Sequence, residues 1–224
     1  MDILFEDNHL VAVNKPFGMP SQGDETGDMS VFDWVKNYLK TTYNKPGEAY
    51  VALLHRLDRP AGGVLLLGKT SKSAARLSKD FEQRRLSKMY YAITERAPQP
   101  ESGELSHYLK KLPGQNIMRA YQKEVAGGQA AKLQYRTSRT EGQRALVEVQ
   151  LQTGRRHQIR VQLAAIGCTI CGDVKYGKTE FLPDRSIALL ARELTFEHPV
   201  TKKLMTIIAP IPKTAVWQEI AAGK

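Results

Sequence analysis

What this sequence lacks narrows its function first. It has two cysteines in 224 residues, Cys168 and Cys171. A disulfide framework needs more pairs than that. Their C-x-x-C spacing is half of a structural zinc site, which needs four ligands, and no second pair follows. A redox pair opens a helix, whereas this one comes after an expected helix end at Gly167. Metal and redox chemistry are therefore not expected. No apolar run approaches the ~20 residues of a membrane helix. The start, MDILFEDNH, has acids where a signal peptide has a basic segment and an apolar core, which places the protein in the cytosol. The chain also lacks a Gly-rich phosphate loop, a nucleophilic Ser or Cys triad, internal repeats and low-complexity segments. Acidic residues are in the minority, 23 against 33 Lys and Arg, giving a net charge of +10 and a pI of about 9.6. That excess points to a polyanion, nucleic acid first. A merely basic protein is the plainer alternative.

The remaining composition, 42% hydrophobic and 25% charged, is ordinary for a globular chain. The length allows one large domain or two small ones. The stretch around which the chain is organised is LLHRLDRPAGGVLLLGK, residues 53–69. Its apolar run from Val64 to Leu67, bounded by glycines, suits a buried strand. The charged cluster of His55, Arg56, Asp58 and Arg59 then sits on a loop at the mouth of that strand. Two flanking guanidinium groups would keep Asp58 ionised. Such a carboxylate can be a nucleophile, a general base or a structural ion-pair partner.

Around this centre, residues 3–5 and 10–14 read as two strands, the second running into VAVNKPFGMPS with a turn at Pro16 and Gly18. Lys15 there is a phosphate contact or a solvated turn lysine. Ser30 caps a helix with Asp33 three residues on, and Val31, Trp34, Val35, Tyr38 and Leu39 form its core-facing stripe. Thr70 and Ser71 open a second helix, with Ala74, Leu77, Ser78 and Phe81 inward. MYYAIT, 89–94, is a strand in which Tyr90 and Tyr91 face opposite sides. Residues 97–128 read as a basic hairpin insertion, and 131–138 and 144–152 as two further strands. LQTGRRHQIRVQL, 151–163, ends a strand at a glycine and opens a helix with a dense basic group. It sets Arg156 and Arg160 four apart on one helix face and includes Arg155 and His157. Residues 178–185 form a basic loop. Two strands around His198-Pro199-Val200-Thr201, in which His198 is structural, and a short helix over 215–221 close the chain.

HRLDR followed by glycine and a hydrophobic strand resembles motif II of the RluA-type pseudouridine synthases. VAVNKPFG, K-x-Y-x-A at Lys88 to Ala92, L-x-T-G-R-x-H-Q-I-R-V-x-L, I-x-G-D-x-x-Y-G at Ile170 to Gly177 and the closing H-P-x-T resemble further elements of that family, in order, over residues 4–212. The chain departs from the pattern at Pro60-Ala61-Gly62-Gly63, where hydroxyl residues are usual, and at Gln162 and Cys168, where histidines are common. The resemblance implies an α+β fold: a mixed, mostly antiparallel sheet flanked by helices, with a central RNA-binding cleft. A single catalytic domain over 1–224 is expected; many relatives carry a separate N-terminal RNA-binding module, for which there is no room ahead of Leu4.

The implied reaction turns uridine into pseudouridine in ribosomal or transfer RNA, with no cofactor. The C1′–N1 bond breaks, the uracil turns, C5 bonds to C1′, and a C5 proton leaves. The resemblance makes Asp58 the catalytic carboxylate, able to attack C1′, take the C2′ proton or stabilise the sugar cation. It makes Tyr90 the residue against the base and Arg160 the partner of Asp58. Arg56 fills the space the target base leaves, and Arg59, Lys15, Arg155, Arg156 and His157 complete the RNA-binding set. A cytoplasmic monomer with RNA as its partner, and neither membrane nor metal, is expected. A silent RNA-binding protein of the same fold and a carboxylate-dependent hydrolase or nuclease are the competing classes.

Overall fold

The computed structural model describes residues 1–177 and 180–220. The expected basic loop over 178–185 lies partly outside them, as does Ala221 at the end of the expected last helix. The chain divides into two compact units: Met1–Lys88 with Ala191–Pro210, and Met89–Leu190 with residues 211 onward. The class is α+β, with a mixed, mostly antiparallel sheet and few helices.

In the first unit, β1 (Ile3–Glu6) pairs antiparallel with β2 (Leu10–Lys15), and β2 with β4 (Gly62–Gly68). Short β3 (Ala52–Leu53) also pairs with β4. Beyond β4 comes β10 (Leu189–Glu197), which pairs with β11 (Leu204–Ile208). Every residue of β4 is buried, as its unbroken apolar run demands. Gly63 on this strand has φ +110°, and a Cβ there would collide with the backbone of Ala191, so only glycine lets the two strands approach.

Helix α1 (Val31–Thr42) starts at Ser30, whose Oγ accepts from the Asp33 N–H. Val31, Val35 and Leu39 bury its stripe. Trp34 and Tyr38 stay half-buried and stack on each other, centroids 5.3 Å apart; the Tyr38 and Tyr43 hydroxyls donate to Glu6 on β1. Helix α2 (Ser71–Glu82) is capped by Thr70 and buries Ser73, Ala74 and Leu77.

In the second unit the strand order is β5 (Ser87–Thr94), β9 (Arg144–Leu151), β8 (Gln129–Glu141), β6 (Ser102–Lys111), β7 (Met118–Tyr121), antiparallel throughout. The expected hairpin over 97–128 is present as β6 and β7. It is no insertion, however: β6 pairs along Ser102 to Leu109 with β8 and is an inner strand. Helix α3 (Gln158–Ala165) lies on one face of this sheet, where Val161 packs with Leu109, Met118 and Ala131. Helix α4 (Ala215–Ile220) buries Val216, Trp217 and Ile220 beside β8. No helix among the described residues is long and apolar enough to cross a membrane.

Candidate active site

The loop that carries Asp58 is fastened through its main chain. Ser21 Oγ donates to the Leu57 carbonyl at 2.9 Å and accepts from the Leu57 N–H at 3.1 Å. The Gly18 N–H and the Lys15 ammonium both donate to the Arg59 carbonyl, at 2.9 and 3.1 Å. The Asp58 carbonyl accepts from the Ala61 N–H. Segment 15–21 therefore holds the residues on either side of Asp58, and is itself tied to α1, since the Val31 and Phe32 N–H groups donate to the Pro20 and Ser21 carbonyls. His55 secures the loop's start: its Nε2 accepts from the Leu66 N–H on β4, and its ring stacks on Phe81 at 4.9 Å. The alternate residues His55, Leu57 and Arg59 are thus anchored. Arg56 is left exposed and Asp58 half-buried.

The charges around Asp58 differ from the sequence expectation. The Arg59 guanidinium does not lie along Asp58; it crosses to the loop over residues 22–29, bonding the Gly18 carbonyl, Asp24, Thr26 and Asp28. Two carboxylates with one arginine outcompete a single neighbour in sequence, and their own pKa values fall, Asp24 mainly through Thr26 and Asp28 mainly through Arg59. Lys15 is neither a solvated turn lysine nor an exposed phosphate contact. It is 1% exposed, with Nζ donating to the Pro16 and Arg59 carbonyls. Burial lowers its pKa to about 7; the Asp58 carboxylate draws it up and the Arg59 charge pushes it further down. Burial likewise pushes His55 down to about 3, with Lys88 acting in the same direction, so the imidazole is neutral and accepts at Nε2.

In the second unit, the basic segment after β9 does not start a helix. His157 takes the left-handed conformation, φ +53°, and α3 begins only at Gln158. Arg156 therefore precedes the helix and shares no helix face with Arg160. The turn is closed by Gln158, whose Oε1 accepts from the Thr153 hydroxyl and the Arg155 N–H and whose Nε2 donates to the Lys132 carbonyl. Arg155 reaches the Ala130 carbonyl, and Arg156, exposed, bonds Asn116. His157 is buried, its Nδ1 2.7 Å from the Tyr176 hydroxyl.

Arg160 is 4% exposed and forms a two-pronged bond with Asp173, Nε to Oδ2 at 2.7 Å and Nη2 to Oδ1 at 2.8 Å. Its guanidinium also lies 5.3 Å from the Tyr176 ring centre. The Tyr176 hydroxyl in turn accepts from the Met118 N–H on β7. Gln162 on α3 is buried, its Nε2 donating to the Leu105 and Ala131 carbonyls and lying 3.0 Å from His107 Nδ1. Tyr90 on β5 is 9% exposed and opposite Val149; Tyr91, half-buried, faces the other side opposite Glu148.

Ser21, Asp173 and Tyr176 position the candidate residues, yet nothing in composition or spacing marked them. Their only signal is place: Ser21 closes the VAVNKPFGMPS segment, and Asp173 and Tyr176 are the polar positions of I-x-G-D-x-x-Y-G. Cys168 and Cys171 are buried free thiols; burial raises the pKa of both, that of Cys171 to about 12, so neither is a ready thiolate. Among the described residues no cluster of three His, Cys, Asp or Glu could hold a metal.

Comparison with known proteins gives the family. The family model described as RNA pseudouridylate synthase matches residues 9–165. The uncharacterised RNA pseudouridine synthase YhcT of Bacillus subtilis is 33% identical over 216 residues, covering 95% of this chain and 69% of its own. Ribosomal large subunit pseudouridine synthase C of Rickettsia bellii is 31% identical over 212 residues, covering 94% and 68%. The solved structure of human RNA pseudouridylate synthase domain containing 4 superposes with a TM-score of 0.79 at 26% identity, over 94% of this chain and 88% of that one.

Two outcomes follow from the buried groups. Asp173→Asn takes the Asp173 carboxylate from the buried Arg160 guanidinium, and removing one partner of a buried pair costs about 3–5 kcal/mol; an unchanged urea midpoint would contradict the pairing. For His55 the folded pKa of about 3 lies below the ordinary 6.5, so the unfolded chain takes up the proton first. Its contribution is complete above pH 6.5 and is lost as pH falls towards 3. Stability measured against pH should therefore drop less steeply below 6.5 in His55→Asn; an identical slope would show that the imidazole stays solvated.

Proposed function

The chain belongs to the RNA pseudouridylate synthase family, and from that premise we propose that it isomerises specific uridines in structured ribosomal or transfer RNA with Asp58 as its catalytic carboxylate and no cofactor. The enzyme class is an RNA pseudouridine synthase, an isomerase. Asp58, Tyr90 and Arg160 form the catalytic set, and the protein acts as a cytoplasmic monomer on RNA.

The observation that carries the aspartate assignment is the bracketing of Asp58. Five hydrogen bonds fix the main chain of Leu57, Asp58 and Arg59, in a chain where the neighbouring arginine is engaged elsewhere. Catalysis gains most from groups held in place before substrate arrives. A loop so fastened delivers a carboxylate at a fixed position, and Arg56, exposed next to it, has the reach to enter the space a displaced base leaves. Tyr90, on a strand and mostly buried, offers a rigid ring. Arg160, held two-pronged by Asp173, brings a fixed guanidinium. The name of the Rickettsia bellii relative makes large-subunit ribosomal RNA the first substrate to try.

The test is pseudouridine formation in large-subunit and transfer RNA lacking the modification, mapped by position, with EDTA present. Wild type should form pseudouridine at one or a few sites. Asp58→Asn should lose at least about a hundredfold in rate while RNA affinity and the thermal midpoint stay as in wild type. Full activity in Asp58→Asn would remove the residue from the mechanism, and loss of wild-type activity restored by a divalent metal would overturn the cofactor-free reading.

A further inference from the structure

The hairpin of β6 and β7 carries a feature that the catalytic set does not use. In register, Tyr108 stands opposite Tyr121 and Lys110 opposite Arg119. Strand alternation puts these four side chains on one face, two aromatics beside two cations. The opposite face carries Leu109, Met118 and Ala120, which pack with α3. The four therefore look away from α3. Lys110 and Tyr108 are half-buried, as is Tyr121, and Arg119 is exposed. Among the described residues, neither Lys110 nor Arg119 has an acidic partner. Elsewhere on this face the cations are matched: Lys132 pairs with Glu104 and Arg136 with Glu148.

Two like charges directly opposed across a strand pair weaken a sheet. A second mismatch runs the same way: β7 is four residues long and ends the strand order, so the pair sits at an edge where the sheet gains least from it. An anion from outside resolves the repulsion. A phosphate backbone does so while its bases lie on the neighbouring tyrosines, since stacking platforms beside basic tracks are how proteins hold single-stranded nucleic acid. The hairpin end also adjoins the basic segment before α3, because Asn116, in the β6–β7 turn, bonds Arg156. Arg156 thus stands at the turn end of the hairpin.

We propose that the outer face of the β6–β7 hairpin is an auxiliary RNA site that takes a single-stranded segment of the substrate away from the target base, with bases on Tyr108 and Tyr121 and phosphates on Lys110 and Arg119. This rests on the reading of the chain as an RNA-modifying enzyme and adds to it a single-stranded region as a second point of contact with the substrate.

The test uses a fluorescein-labelled, uridine-free single-stranded RNA, twelve adenosines long, and the full chain, read by fluorescence anisotropy. Tyr108→Ala with Tyr121→Ala should weaken binding about tenfold or more. Lys110→Ala with Arg119→Ala should reduce the slope of log affinity against log salt by about 1.4, about 0.7 for each phosphate contact on a single strand. Asp58→Asn should bind as wild type. A twelve-base-pair duplex, whose base faces are hidden, should lose nothing on the tyrosine substitutions. Matching thermal midpoints exclude misfolding; should the alanine pairs unfold, Tyr108→Leu with Tyr121→Leu and Lys110→Gln with Arg119→Gln keep the sheet and replace them. Wild-type affinity in the hairpin variants, or no binding of the probe by wild type, overturns the proposal. Because the probe holds no uridine, this result is independent of isomerisation, so failure of pseudouridine formation and failure of the hairpin site are told apart.

Discussion

The structure around the candidate site depends on one constraint: the main chain on both sides of Asp58 is bonded to residues some forty positions earlier. Ser21 takes both the N–H and the carbonyl of Leu57, and Lys15 and Gly18 take the carbonyl of Arg59. A loop has few internal hydrogen bonds of its own, and each buried main-chain group without a partner is costly. Here those groups are answered by segment 15–21, which is itself bonded to the start of α1. The carboxylate is thereby carried by strand β2 and helix α1 as much as by its own loop. Sequence motifs at 11–21 and 55–59 are in this sense one structural feature.

Two buried charges accompany that arrangement, and they are handled differently. Arg160 is matched by a full carboxylate in ideal two-pronged geometry, so its charge is retained in the interior. Among the described residues Lys15 Nζ donates to two carbonyl oxygens, and burial leaves its pKa near 7, far below an exposed lysine. A lysine so placed holds the loop by hydrogen bonds in either protonation state, while its positive field at Asp58 fades as pH rises above neutrality. His55 is the simpler case, a neutral imidazole used as an acceptor for a strand N–H.

Much of this was legible in the sequence, and the misses have a common origin. Helix starts at Ser30 and Thr70 follow from side-chain caps a few residues away, and β4 from its apolar run, because those signals are local. Arg59 was expected beside its sequence neighbour Asp58, but its partners Asp24 and Asp28 lie some thirty residues away. Lys15 reads as a turn residue because its burial is conferred by Pro16, Arg59 and the strands around it. The basic segment 155–157 has helical spacing, yet the left-handed His157 and the Gln158 cap delay the helix to residue 158. Asp173 was visible only as a letter in a motif, since nothing local reveals that Arg160, thirteen residues before it, needs a carboxylate.

The claim that segment 15–21 aims Asp58 is tested most directly at Ser21, which touches Leu57 but nothing of the carboxylate. Single-turnover pseudouridine formation by Ser21→Ala on a confirmed RNA should fall about tenfold or more with RNA affinity unchanged, because the loop keeps its residues and loses its fixed geometry. A rate equal to wild type, in a protein shown by its thermal midpoint to be folded, would contradict the account.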